Sequence, residues 1–156
     1  MAASKNKKRI PDLANLPKSR DVQREKDPNG FFEMKPSWSF HLSDAEEWVF
    51  NKDHAGDMFW DEILPRLKGL EVCQWKKILQ DGKKRNHPIQ ASALTSKAQR
   101  RLQNLHIEAE AVYSLGLNGT HRIYGIIDNG VFHLIWFDTE HGDTENCVCR
   151  SHKKHT

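Results

Sequence analysis

The stretch from Ala111 to His141 constrains the fold more than any other part of the chain. Its apolar residues fall into three runs of strand length, dominated by β-branched and aromatic side chains. Asn118-Gly119 and Asp128-Asn129-Gly130 separate these runs, and both are hairpin signals because Asn and Gly tolerate positive φ. We therefore predict an antiparallel three-strand meander over Val112–Leu117, Arg122–Ile127 and Val131–Asp138.

One strand and several helices are predicted before the meander. Trp38–Leu42 alternates apolar and polar residues, as a short fourth strand does. Ser43 and Glu46 form a capping-box pattern that predicts a short helix bearing Trp48, Val49 and Phe50. The other predicted helices are one that Asp57 caps and Pro65 bends or ends, one with an apolar stripe from Val72 to Leu79 that Gly82 closes, and one over Ser96–Leu105 that Thr95 caps.

This order of elements predicts an α+β fold. A small antiparallel sheet, made of the C-terminal three-strand meander plus one N-terminal strand, would have helices packed on one face. Trp60 and Trp75 lie on apolar helical stripes, so we place both in the core rather than on a surface that stacks with bases.

Charge is unevenly distributed along the 156 residues. Residues 1–35 hold nine Lys and Arg against five Asp and Glu, whereas residues 36–138 hold twelve against thirteen. We predict a flexible basic N-terminal arm over residues 1–35 and one folded domain over residues 36–156. The arm could instead contact nucleic acid or a partner protein, and composition does not choose between these alternatives.

The cysteine count and the hydropathy pattern bear on the compartment. The chain has three cysteines, Cys73, Cys147 and Cys149, and no apolar leader at its N-terminus. No run approaches the roughly 18 apolar residues of a membrane span. We expect a cytoplasmic protein with no membrane partner.

Two polar residues of the meander region stand out as candidates for chemistry. Because side chains alternate along a strand, Arg122, Tyr124 and Ile126 should share one face, which we expect to be open and polar at its edge. His141 follows the third strand, and histidine is well suited to proton transfer near neutral pH. The alternatives are an edge arginine that extends to solvent and a solvated loop histidine.

Two basic clusters could position phosphates. Lys83, Lys84 and Arg85 lie in a predicted loop, and Arg150, Lys153 and Lys154 lie in the C-terminal tail. The alternative for the loop cluster is that its charges are simply solvated. The alternative for the tail is a zinc site formed by Cys147, Cys149, His152 and His155. The Cys-x-Cys spacing is tighter than is usual for structural zinc ligands.

The segments Leu117–Ile126 and Phe132–His141 resemble the RelE/ParE toxin superfamily, and Lys153–Thr156 matches a Lys-Lys-His-Thr tail found in part of it. The resemblance implies helices packed on a small antiparallel sheet. Its RelE-like members are implied to be ribonucleases that need neither metal nor cofactor, cut mRNA on the ribosome and are neutralised by an antitoxin. ParE-like members instead poison DNA gyrase, so the fold alone does not choose the activity.

The resemblance also implies roles for individual residues. Arg122 matches the sheet arginine that RelE-like ribonucleases direct at the scissile phosphate, and His141 falls near residues that some members use as acid or base. Tyr124 shares the face of Arg122 and completes the predicted catalytic set. Three hypotheses remain open: a ribonuclease, a non-cleaving toxin-like binder of gyrase or another protein, and a structural or metal-binding module.

Overall fold

A computed structural model of the chain describes residues 30–142 and 145–150. The described residues from Phe32 onward belong to one compact unit. Its five strands are β1 (Ser37–Ser39), β2 (Asn86–Gln90), β3 (Ala111–Gly116), β4 (Arg122–Asp128) and β5 (Val131–Asp138). They form one sheet in the order β1-β5-β4-β3-β2, in which only β1 and β5 are parallel neighbours. The predicted α+β class and the predicted meander are confirmed, and the N-terminal strand makes the sheet mixed.

Two α-helices and three shorter helical turns accompany the sheet. The helices are α1 (Leu64–Leu70) and α2 (Ser96–Asn104), and the turns are π-helical at Phe59–Ile63 and Lys77–Asp81 and 3₁₀ at Ala91–Ala93. Thr95 caps α2 as predicted, because its side chain accepts a hydrogen bond from the N–H of Ala98.

Pro65 does not end the first helical segment, which continues to Leu70. Pro65 has no N–H, which the first turn of an α-helix tolerates, and it lies in the first turn of α1. The preceding turn is π-helical, and Leu64 donates its N–H to the carbonyl of Phe59 five residues earlier. The wider turn lets helical structure continue past the proline to Leu70.

Helical segments lie on both faces of the sheet. Tyr124 packs in one core cluster with Ala98 of α2. Ile127 points to the opposite face, where its register partner Phe132 lies against Trp75 with ring centroids 6.1 Å apart. The face that carries Tyr124 was expected to be open, but it is covered at Tyr124, which is fully buried in this cluster.

The helix predicted after Ser43 does not form. The carboxylate of Asp44, rather than the Ser43 hydroxyl, accepts the N–H of Glu46 at 2.9 Å. Trp48 adopts φ +48°, which a right-handed helix does not allow. Its ring packs against Trp136 with centroids 5.2 Å apart, so core packing overrides the local capping pattern.

Two further sequence predictions are corrected. The loop predicted around Lys83, Lys84 and Arg85 ends at Arg85, and Asn86–Gln90 is the edge strand β2, which was not predicted and where Pro88 is tolerated at a sheet edge. Trp75 is fully buried as predicted, whereas Trp60 is 65% exposed. Of the two predicted turns, Asn129-Gly130 has two positive φ angles (56° and 84°), as a type I′ turn requires.

No helix within the described residues is both long enough and apolar enough to cross a membrane.

Candidate functional site

The connection between β3 and β4 places Arg122 at the first position of β4. Leu117 donates its N–H to the carbonyl of His121 at 3.0 Å, and His121 donates to Asn118 at 2.8 Å. Gly119 supplies the positive φ of +53° that this tight connection needs. The Nη1 atom of Arg122 donates to the carbonyls of Gly119 and His121, both at 2.8 Å. The side chain is therefore held against its own loop.

Arg85 lies across Gly116. Gly116 is the register partner of Arg122. A Cβ atom at Gly116 would approach the Arg85 side chain to within 3.0 to 3.1 Å, so the glycine leaves room for the arginine. The Nη2 atom of Arg85 donates to the carbonyl of Leu117. Arg85 and Arg122 thus both donate hydrogen bonds to the β3–β4 loop.

A third arginine reaches this loop from helix α1. The Nε atom of Arg66 donates to the carbonyl of Gly116 at 3.1 Å, and its Nη2 atom donates to Oδ1 of Asn86 at 3.3 Å. The same Asn86 oxygen accepts the N–H of Gly116 at 3.1 Å. We call Arg66, Arg85 and Arg122 the arginine cluster.

The arginine cluster makes no direct ion pair within the described residues. Across residues 30–142 and 145–150, none of its guanidiniums lies within 4.0 Å of a carboxylate oxygen. Burial, reinforced by repulsion from Arg85, lowers the pKa of Arg66 and of Arg122 below their ordinary range, and at Arg122 the negative charge of Asp138 acts in the opposite direction. Arginine stays charged despite such a shift, so an anion at this position would relieve the repulsion.

Tyr124 and His141 form a buried hydrogen-bonded pair. The Tyr124 hydroxyl lies 2.8 Å from Nδ1 of His141. Tyr124 has no exposed surface and His141 is 3% exposed. Burial, followed by the negative charge of Asp138, raises the pKa of Tyr124 well above its usual range. The phenol therefore remains protonated at neutral pH and can donate to an unprotonated Nδ1.

The turn after β5 brings His141 back to Tyr124. Asp138 accepts the N–H of Glu140 at 2.8 Å, and His141 donates its N–H to the carbonyl of Thr120 at 3.1 Å. The Thr120 hydroxyl donates to the carbonyl of Thr139 at 2.6 Å. The β3–β4 loop thus binds both the arginines and the turn that carries His141.

Asp138 joins the site at the end of β5. It is the register partner of Arg122 and is 1% exposed. Its Oδ2 atom accepts the N–H of Val148 at 2.8 Å, which attaches the C-terminal segment to the end of β5. Burial raises the pKa of Asp138, although its backbone hydrogen bonds act in the opposite direction.

The structure brings together part of the predicted site. Arg85, Arg122, Tyr124 and His141 all lie around the β3–β4 loop or beneath it. Lys83 and Lys84 are exposed in the turn before β2. Arg150 lies apart in a groove beside Lys97 and Arg100, and it pairs with Glu145 at 3.4 Å. Lys153 and Lys154 lie outside the described residues.

The predicted zinc alternative is only partly described. Cys147 and Cys149 are both buried, and His152 and His155 fall outside the described residues. In the part of the chain that the structure describes, no group of three or more His, Cys, Asp or Glu side chains is arranged to hold a metal ion.

Two members of the site were missed from the sequence. Arg66 follows a proline on an amphipathic helix and looks like any exposed helical arginine, so only the tertiary contact with Gly116 identifies it. Asp138 could have been identified from the sequence, because a carboxylate at the end of a strand of buried aromatic residues must have hydrogen-bonding partners.

Comparisons of the chain with protein-family models, curated proteins and solved structures give no match.

Proposed function

We propose that this chain is the toxin of a type II toxin–antitoxin system of the RelE/ParE kind. It would act as a metal-independent endoribonuclease that cleaves mRNA on the ribosome and so inhibits translation in the cytoplasm. A cognate antitoxin protein would neutralise it. The proposal rests on the resemblance of the meander together with the clustering of Arg85, Arg122, Tyr124 and His141 around one loop.

The arginine cluster is the observation that carries the proposal. Three guanidiniums surround the loop, and within the described residues none has a carboxylate at ion-pair distance. Guanidinium geometry matches phosphate oxygens, and phosphate contacts dominate the affinity of proteins for nucleic acid. Arg85 is exposed and Arg122 is half-buried, so an RNA phosphate can reach both.

Cleavage of RNA without metal requires three functions. A base takes the proton of the 2′-hydroxyl as its oxygen attacks the phosphorus, an acid protonates the departing 5′-oxygen, and cations stabilise the phosphorane. Arg122 would supply the stabilising charge, with Arg85 positioning the backbone. His141 would be the acid or base, and its hydrogen bond to Tyr124 would orient the imidazole.

The burial of His141 sets a requirement for this mechanism. At 3% exposure the imidazole does not reach the surface in this conformation. RNA binding at the arginine cluster must therefore be accompanied by a movement that uncovers His141. The β3–β4 loop is suited to couple the two events, because Thr120 in that loop holds the turn that carries His141.

Induction in growing cells tests the proposal. The wild-type chain should arrest growth and produce new mRNA 5′ ends in phase with codons. Arg122→Ala should relieve the arrest, whereas Arg100→Ala, an exposed arginine outside the cluster, should not. Growth arrest with intact mRNA would contradict a ribonuclease.

A non-cleaving toxin that binds gyrase or another protein is the second candidate. The burial of both Tyr124 and His141 favours it, because these groups then act as scaffold. DNA damage on induction, without mRNA cleavage and unaffected by His141→Gln, would support this candidate.

A further inference from the structure

An exposed aromatic surface lies at the start of the first helical segment. Trp60 is 65% exposed and Phe40 is 43% exposed. Phe59 contacts both rings, with centroid distances of 5.3 Å to Trp60 and 6.1 Å to Phe40. Leu64, one turn further along, is 37% exposed and extends the surface.

This surface is built on the core rather than on a loose loop. Phe40 packs edge-on against Phe50 at 5.5 Å, and Phe50 stacks on the buried Phe137 at 6.1 Å. The aromatic rings are thus held in place from below. Contiguous exposed apolar surface of this kind marks a binding site more often than chance exposure does.

The segment that carries Phe59 and Trp60 is acidic. Residues 53–64 contain four acidic side chains and no Lys or Arg. Asp57 and Asp61, three residues before and one residue after Trp60 in the chain, are exposed, while Glu62 pairs with His121 at 2.8 Å. We call Phe40, Phe59 and Trp60, with Asp57 and Asp61, the acidic aromatic patch.

These charges decide which class of partner fits. RNA bases could stack on Trp60, but the phosphates beside them would be repelled by Asp57 and Asp61. A second copy of this chain would bring an equally acidic patch to the contact. A cationic amphipathic segment of another protein satisfies both the aromatic rings and the carboxylates.

We propose that the acidic aromatic patch is a docking surface for a partner protein that presents an amphipathic helix with Lys or Arg beside Leu or aromatic side chains. Trp60 is the anchor, because an exposed tryptophan on a rigid base is the residue type most often responsible for binding energy at protein interfaces. Asp57 and Asp61 supply specificity and accelerate association. The patch shares no residue with the arginine cluster, so this inference does not depend on RNA cleavage.

A titration of the full chain tests the inference, with the indole N–H signals observed by NMR. The probes are a synthetic amphipathic helical peptide of Leu and Lys, the same peptide with Glu in place of Lys, and an oligouridylate RNA. We expect the Leu/Lys peptide alone to bind and to shift the Trp60 signal. Trp60→Ala should weaken binding by about tenfold or more, and the Asp57→Asn, Asp61→Asn double variant should weaken it and reduce its salt dependence.

Val72→Ala is the matched control, because Val72 is 74% exposed but lies outside the patch. Its affinity for the Leu/Lys peptide should equal that of the wild type. Equal binding of the Leu/Lys peptide by Trp60→Ala, or no binding by the wild type, would overturn the inference. Binding of the Leu/Glu peptide with equal affinity, or a shift of the Trp60 signal by the RNA alone, would also overturn it.

Discussion

The Tyr124 hydroxyl and the Nδ1 atom of His141 lie 2.8 Å apart in the interior, 17 residues apart along the chain. Two buried polar groups are paired with each other at the place where β4 meets the turn after β5. Pairing of this kind is required, since an unpartnered polar group in such surroundings costs free energy. It also means that the proposed acid or base is held in one orientation.

Tyr124→Phe should keep the fold but lower the free energy of unfolding by about 1–3 kcal/mol, because it removes the hydroxyl and leaves the buried Nδ1 without this partner. Urea titration followed by tryptophan fluorescence measures the change. A loss well below about 1 kcal/mol would mean that the Tyr124–His141 hydrogen bond contributes little to stability.

Asp44 should contribute stability at neutral pH that is lost in acid. It is buried and receives Arg101 at 2.8 and 2.9 Å and the Trp136 indole at 3.0 Å. Burial alone would raise the pKa of Asp44, but these hydrogen bonds and those of backbone N–H groups together lower it. A lowered folded-state pKa gives stability above the ordinary value of 3.8, and that stability disappears as the pH falls through the lower folded value.

The Asp44→Asn variant tests this pH dependence. Breaking a buried ion pair on one side typically costs about 3–5 kcal/mol, so the variant should be strongly destabilised at pH 7. The difference from wild type should begin to shrink as the pH falls below 3.8, where the carboxylate of the unfolded chain becomes protonated, and should shrink further as the pH falls through the lower folded-state pKa. A difference that is constant between pH 7 and pH 3 would assign the loss to packing rather than to charge.

The C-terminal segment is attached by hydrogen bonds that can be removed singly. The Trp48 indole donates to the carbonyl of Asn146 at 2.7 Å, and the Thr95 hydroxyl donates to that of Cys147 at 3.0 Å. Trp48→Phe should raise the rate at which the buried Cys147 and Cys149 react with a thiol reagent by about tenfold, as loss of one hydrogen bond predicts. Cys73, which is already half-buried, should react at an unchanged rate and serves as the internal control.

The sequence was sufficient for the meander because local signals and tertiary structure agree there. Alternating runs and Asn-Gly turns specify β3, β4 and β5 without reference to the rest of the chain. The helix predicted after Ser43 does not form because Trp48 packs on Trp136 with a positive φ and Asp44 pairs with Arg101, a residue 57 positions away. Capping patterns describe local preference, and these two tertiary contacts outweigh it.

The candidate site was predictable only in part for a similar reason. Strand alternation places Arg122 and Tyr124 on one face, and the turn after β5 places His141 near them. Arg66 joins the site through a contact between a helix and a strand 50 residues apart, which no local pattern encodes. The exposure of Trp60 was missed because its helical stripe resembles a core stripe, and the π-helical turn changes which side chains face inward.

Cleavage of ribosome-bound mRNA by the purified full-length chain is the most direct test of the proposed function. We expect the wild type to cut within the open reading frame, and Arg122→Ala and His141→Ala each to lower the single-turnover rate by about 10²–10⁴-fold, the usual cost of losing a positioned catalytic group. Arg100→Ala should cut at the wild-type rate. Intact mRNA with the wild-type protein, or cleavage by both site variants at the wild-type rate, would contradict the assignment of Arg122 and His141 to a ribonuclease site.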